Sequence, residues 1–182
     1  AGAAGFTSAT TAPAGTGNTG LIPNNCTAGQ TGLATAAYSV NSTSADADGN
    51  TWGKEVAIAV TATGAGSVVL YIALNRTPIV VNDIIRGGWE IDVASGATGL
   101  GGVQTKLETF ATGGPSPTFD MISSGLSVDT GNYTKYAAEP PPLKMGNWTG
   151  TAFTNLRMDI VMSGAGSCTV TVRKPWAERA TA

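Results

Sequence analysis

The chain has 182 residues, only 12% of them charged, a formal net charge of -2, 25 glycines and no histidine. That length suits one domain with a core of its own. With no basic field to hold a phosphate backbone, nucleic acid is not expected as a partner. The missing imidazole excludes Ser-His-Asp and Cys-His nucleophile activation and every metal site that uses histidine.

Residues 1 to 20, "AGAAGFTSATTAPAGTGNTG", are small, polar and broken by Gly and Pro. Such a segment buries too little apolar surface to fold alone, so it reads as a flexible linker or arm without regular secondary structure, ahead of a domain over 21 to 182. The rest of the chain is rich in Gly, Ala, Thr, Ser and Val, which suits strands and tight turns rather than helices. No apolar run reaches the roughly 18 to 20 residues that a helix needs to cross a bilayer, and no membrane partner is expected.

Strand-length segments separated by Gly, Asn, Pro and Asp clusters fall at about 32–40, 52–63, 66–75, 79–94, 102–111, 119–128, 154–163 and 168–176. The stretch 130–150 holds three consecutive prolines and reads as a long loop with at most a short edge strand. In "KEVAIAV", Val56, Ile58 and Val60 share a face, and in "LRMDIVM", Leu156, Met158, Ile160 and Met162 do. One-sided strands in this number predict an all-β protein, a two-sheet antiparallel β-sandwich or jelly roll.

Parity also sorts the charges. In "IRGGWEIDV", Trp89, Ile91 and Val93 point one way, into the core, while Arg86, Glu90 and Asp92 point the other. In "VQTKLET", Val103 and Leu107 oppose Gln104, Lys106 and Glu108. If the two strands pair through "SGATGLGG", the six polar side chains share one compact field. The same charges also read as a solvated sheet face.

"DADGN" sets Asp46, Asp48 and Asn50 at alternating positions, which can aim oxygens at a calcium ion or simply form an Asx-type turn. Otherwise no cofactor is expected. Cys26 and Cys168 belong to no CxxC motif and are either one disulfide or two buried thiols. Glu90, Asp92, Glu108 and Asp120 are carboxylates of the kind that hydrolyse glycosides, yet nothing in the sequence puts one in an apolar pocket, and an enzyme is not expected.

"GLIPNN", "VVNDIIRGGWEIDV" and "TVTVRKPWAER" resemble the jelly-roll carbohydrate-binding-module family and its relatives on bacteriophage fibres and phage-borne SGNH hydrolases. Asn82-Asp83 stands where that pattern usually has Gly-Asp, and Pro175-Trp176-Ala177-Glu178 provides its ending. The resemblance implies a non-catalytic domain of a phage or phage-like fibre, on a virion surface or outside the cell, that recognises a capsular or cell-surface polysaccharide. Two alternatives share the fold: a structural virion or surface protein, and an ancillary domain of a polysaccharide hydrolase. Neighbouring fibre subunits in a homo-oligomer are further expected partners. Sugars stack on aromatic rings and bond to polar side chains. Candidate ligand residues are therefore Tyr133, Tyr136 and Trp148 with Asn132 and Asn147, and second the charged field Arg86, Glu90, Asp92, Gln104, Lys106 and Glu108. In the resembled family the terminal strands lie side by side, which implies a Cys26–Cys168 disulfide.

Overall fold

The computed structural model describes residues 6, 9–41, 44–45, 51–52, 55–74, 84–111, 121–122, 143–144 and 152–180. In chain order the strands are β1 (Ala9–Thr11), β2 (Thr19–Gly20), β3 (Ile22–Pro23), β4 (Cys26–Asn41), β5 (Ser44–Ala45), β6 (Thr51–Trp52), β7 (Glu55–Ala73), β8 (Ile84–Val93), β9 (Leu100–Ala111), β10 (Met121–Ile122), β11 (Leu143–Lys144), β12 (Ala152–Met162) and β13 (Gly166–Ala180). No helix occurs among the described residues.

The architecture follows from β7, which runs through both layers of the sandwich. Along one edge it pairs with β4, from Asn41↔Glu55 to Cys26↔Ile72. Along the other, Val56 to Ala62 pair with β13 and Gly66 to Ala73 pair with β12. Next to β13 lies β8, and next to β12 lies β9. The result is one sheet, antiparallel apart from the two-residue β2, folded over on itself as a jelly roll. The first layer holds β8, β13 and the early part of β7; the second holds β9, β12 and its later part.

The long strands either turn or end at the same line. The pairing of β4 with β7 is irregular between Gly32 and Ala34, β12 passes to β13 through 163–165, and β8 passes to β9 through 94–99. Backbone bonds stitch the bend: Ala94 N donates to Thr169 O (2.9 Å), Thr98 N to Ser167 O (2.8 Å) and Ser163 N to Gly99 O (2.9 Å). Gly32 has φ +65°, and a Cβ there would stand 2.6 Å from Ala65 O. Only glycine meets both demands cheaply.

The alternating apolar residues meet between the layers. Val56, Ile58, Trp89, Ile91, Val170 and Val172 of the first layer and Leu70, Val103, Leu107, Leu156, Met158 and Ile160 of the second are all buried. Full burial of a side chain of this size stabilises by about 1.5–3 kcal/mol. Trp89 Nε1 donates to Thr105 Oγ1 (3.2 Å), a bond from one layer to the other that satisfies the indole deep in the core.

Several expectations change. The predicted strands 52–63 and 66–75 are one strand, β7, whose pairing with β4 shifts at the bend and resumes beyond it. The amino-terminal segment is not wholly irregular: β1 pairs with β3, β2 pairs with β4 in parallel, and Phe6 is buried in the core. Asn18 Oδ1 accepts from Ala36 N (2.9 Å) and Gln30 Nε2 donates to Thr16 O (2.6 Å). These contacts cover part of the open edge of β4, where unpaired backbone groups would otherwise invite association. Of the expected strand 119–128, the described part is Met121–Ile122; of the loop 130–150, it is the short edge strand Leu143–Lys144 on β8.

The disulfide is overturned, since both cysteines are free and buried. Strand β7 lies between β4 and β13, with Cys26 opposite Ile72 in one layer and Cys168 opposite Val60 in the other, across the fold line. The terminal strands are therefore not neighbours. Cys168 Sγ instead sits 3.8 Å from Met162 Sδ. Burial pushes the Cys26 thiol up to about 12 and raises that of Cys168.

Candidate functional site

The predicted pairing of β8 with β9 through "SGATGLGG" does not occur. That stretch carries the chain around the fold, and the two strands end in opposite layers. The parity of each strand is as read, but the six-residue field is split. Arg86, Glu90 and Asp92 face outward from the first layer. Gln104 and Lys106 face outward from the second, with Glu108 at the next outward position and its side chain outside the described set. Tyr133, Tyr136, Trp148, Asn132 and Asn147, the turn residues Asp46, Asp48 and Asn50, and Asp120 lie outside the described residues. Among the described residues no group of three or more metal-binding side chains converges.

On the outward face of the first layer, β13 supplies what the sequence reading missed. Arg173 pairs in register with Glu90, Trp176 with Gly88 and Glu178 with Arg86. Between Arg173 and Trp176 two residues, Lys174 and Pro175, oppose one on β8, a β-bulge that tolerates the proline. Lys174 has φ +50°. This is a costly conformation for a non-glycine residue before proline, of the kind that gathers at binding sites. The bulge re-aims it so that Lys174 Nζ donates to Glu90 Oε1 (2.8 Å), while Arg173 Nε donates to Glu90 Oε2 (2.9 Å). Arg86 and Glu178 close the end of the face through a 3.0 Å ion pair.

Two polar atoms on this face are buried and lack a hydrogen-bond partner among the described residues: Trp176 Nε1 and Asp92 Oδ1. Gly88 stands opposite Trp176, so β8 presents no side chain beside the indole. Beyond Asp92 the face becomes a floor of small side chains, with Thr171 opposite both Asp92 and Ala57, and Thr169 opposite Ala59. Toward the fold line it opens into a groove of about 280 Å³ walled by Ala94–Ala97 and floored by Ala59, Thr61, Ser167 and Thr169.

The outward face of the second layer has its own charged centre. Asp159 accepts from Lys106 Nζ at Oδ2 (2.5 Å) and from Arg157 Nε at Oδ1 (2.6 Å). Thr27, Tyr71, Arg157 and Lys106 form one row across four strands, and Val69, Asp159 and Gln104 form the next. Arg157 and Asp159 were legible in "LRMDIVM" as the residues alternating with the apolar set. Tyr71 was hidden because "VVLYI" is apolar at both parities.

No family model matches the chain, and no curated protein matches it. Among solved structures it is similar to a β-sandwich carbohydrate-binding module studied for the promiscuous specificity of such modules, with a TM-score of 0.61 and 15% identity over 84% of this chain and 56% of that one. The chain thus spans little more than half the length of that structure. A second, the family 11 carbohydrate-binding module from Clostridium thermocellum in complex with a β-1,3-1,4-mixed-linked tetrasaccharide, aligns at a TM-score of 0.47 and 11% identity over 87% of this chain and 91% of that one. The likeness to the first is one of fold alone, a β-sandwich.

Proposed function

We propose that the domain binds a polysaccharide without transforming it, on the outward face of its first layer, as the surface-recognising part of a phage or phage-like fibre. The fibre setting rests on the sequence resemblance. The binding reading rests on one observation, the pair Trp176 Nε1 and Asp92 Oδ1, buried without a partner among the described residues beside a fixed ion cluster on the outward side of the sheet. A buried donor or acceptor without a partner costs about 1–3 kcal/mol. A sugar hydroxyl both donates and accepts, so hydroxyls of one ligand serve both atoms.

Trp176 and Asp92 sit four positions apart along β8, since Trp176 is level with Gly88. At roughly 3.3 Å per residue the span is about 13 Å, the reach of a short oligosaccharide lying along the strands. The charges of Arg173, Lys174 and Glu90 are already paired, so little ordering is left for binding to impose. Glu90 is engaged on both oxygens, which suits a positioning group better than an acid or base.

A glycan array read with the parent chain and with Trp176→Ala tests this. The expected result is a polysaccharide signal that weakens by about 2 kcal/mol, roughly thirtyfold, in the variant. An unchanged signal in a folded variant removes Trp176 from the site.

A further inference from the structure

We infer that the outer edge of β4 is a self-association edge, kept closed by the segment 12–20 acting as a strap, and that lifting the strap lets two copies of this chain pair β4 to β4. Saccharide binding plays no part in this, since β4 borders the first layer on the side of β7 away from β13 and β8.

The composition of the edge points to a second copy. Strand β4 is 16 residues long and contains neither a charged residue nor a proline, two of the devices that keep a strand edge from pairing with another chain. One side of it is taken by β7; on the other, its pairing among the described residues is Thr19↔Ala37 and Gly20↔Tyr38 of β2. Two β4 strands brought together about a two-fold axis meet no like-charge repulsion. Leu33 of β4 and Leu21, which follows β2, are the large apolar side chains exposed among the described residues, at 59% and 49%, and both stand at this edge.

The strap is fitted to the edge yet lightly held. Gly20 has φ +90°, and a Cβ there would run into Tyr38 O, so the strap lies down only with glycine at this position. Asn18 clips its middle, Oδ1 accepting from Ala36 N and Nδ2 donating to Ala14 O. Gln30 Nε2 donates to Thr16 O, but Gln30 Oε1, beside Gly15, is buried without a partner among the described residues. A buried acceptor in that state costs free energy, which opening the edge returns. β1 and β3 pair with each other at the two ends of the strap, and Phe6 and Ile22 are buried in the core, so the strap lifts as a loop on a fixed stem. A two-residue ladder is small against a pairing that can extend along Ala34–Asn41, the first-layer half of β4, and carry that layer's sheet across both copies.

Sedimentation equilibrium of the parent chain and of Gly20→Val, with no saccharide present, tests the inference. The parent is expected to stay monomeric, and Gly20→Val to dimerise about tenfold more tightly or more, the scale of one or two backbone hydrogen bonds. Amide hydrogen exchange should show residues 34–41 of the variant better protected as its concentration rises. Ala37→Lys added to Gly20→Val puts a charge on the edge and should return the monomer. Asn18→Ala, which removes the clip without straining the backbone, gives the same comparison if Gly20→Val does not fold. Association no tighter than the parent's in a folded strap variant, or a dimer that Ala37→Lys leaves intact, overturns the self-association edge. Either result leaves the first-layer saccharide reading standing, because no ligand enters the measurement.

Discussion

The two outward faces of the sandwich solve one electrostatic problem in different ways. Each centres a carboxylate between two cations, Glu90 with Arg173 and Lys174 on one side and Asp159 with Lys106 and Arg157 on the other. On the first layer the carboxylate joins two consecutive residues of one strand, and the second cation reaches it only because a bulge puts Lys174 into a strained turn of the backbone. On the second, regular cross-strand register brings the three groups together without irregularity at their positions. The bulge is what adds Trp176 to the first face, by shifting β13 one residue against β8. Strain marks the face proposed to bind sugar hydroxyls, and regular register marks the other.

Removing the shared carboxylates should produce the largest effects. Glu90→Ala removes the carboxylate that binds Arg173, whose side chain is 3% exposed. A loss of about 3–5 kcal/mol is expected, read as a lower denaturant midpoint. Asp159→Ala should cost less, because Arg157 at 27% exposure reaches water. Equal losses would show that the two triads are equivalent despite their different construction.

The layers also differ in which alternation could be read from sequence. Inward positions were legible throughout: Val56, Ile58, Val60, Trp89, Ile91, Val93, Leu156, Met158 and Ile160 are all core. Strand partners were not, because a Gly-rich turn that could close a hairpin looks the same as one that carries a strand around a fold, and "SGATGLGG" does the second. The site suffered from the same ambiguity. Arg86, Glu90 and Asp92 were found by parity, but their true neighbours Arg173, Lys174 and Trp176 lie more than eighty residues away, and nothing local to either strand announces that pairing.

A moderate effect is expected in alkali. Burial raises the Cys26 thiol from 9.0 to about 12, so the folded state keeps its proton where the unfolded chain releases it. Stability contributed by this group is complete below pH 9 and is lost as pH rises from 9 toward 12. Tyr38, also raised by burial, acts in the same direction above pH 10. Denaturant midpoints across this range should fall less steeply for Cys26→Ala than for the parent. A parallel pair of curves would contradict the burial of that thiol at the far end of β4.

The smallest effect belongs to the rim. Arg86 and Glu178 are 48% and 55% exposed, so their ion pair is worth less than about 1 kcal/mol. Arg86→Ala should leave the denaturant midpoint nearly unchanged, and any weakening of saccharide binding in it reports on the face itself. A large stability loss would mean that this end of β8 carries more of the fold than its exposure indicates.

Chemical-shift mapping tests the central claim most directly. An isotopically labelled chain is titrated with the polysaccharide fragment that scores highest on the array. The account predicts movement of the Trp176 indole Nε1–H resonance and of the amides of Gly88, Asp92 and Thr171, while Trp89, tied to Thr105 inside the core, stays in place. Shifts confined to other surfaces, with the Trp176 indole unmoved at saturation, would contradict a binding face on the first layer.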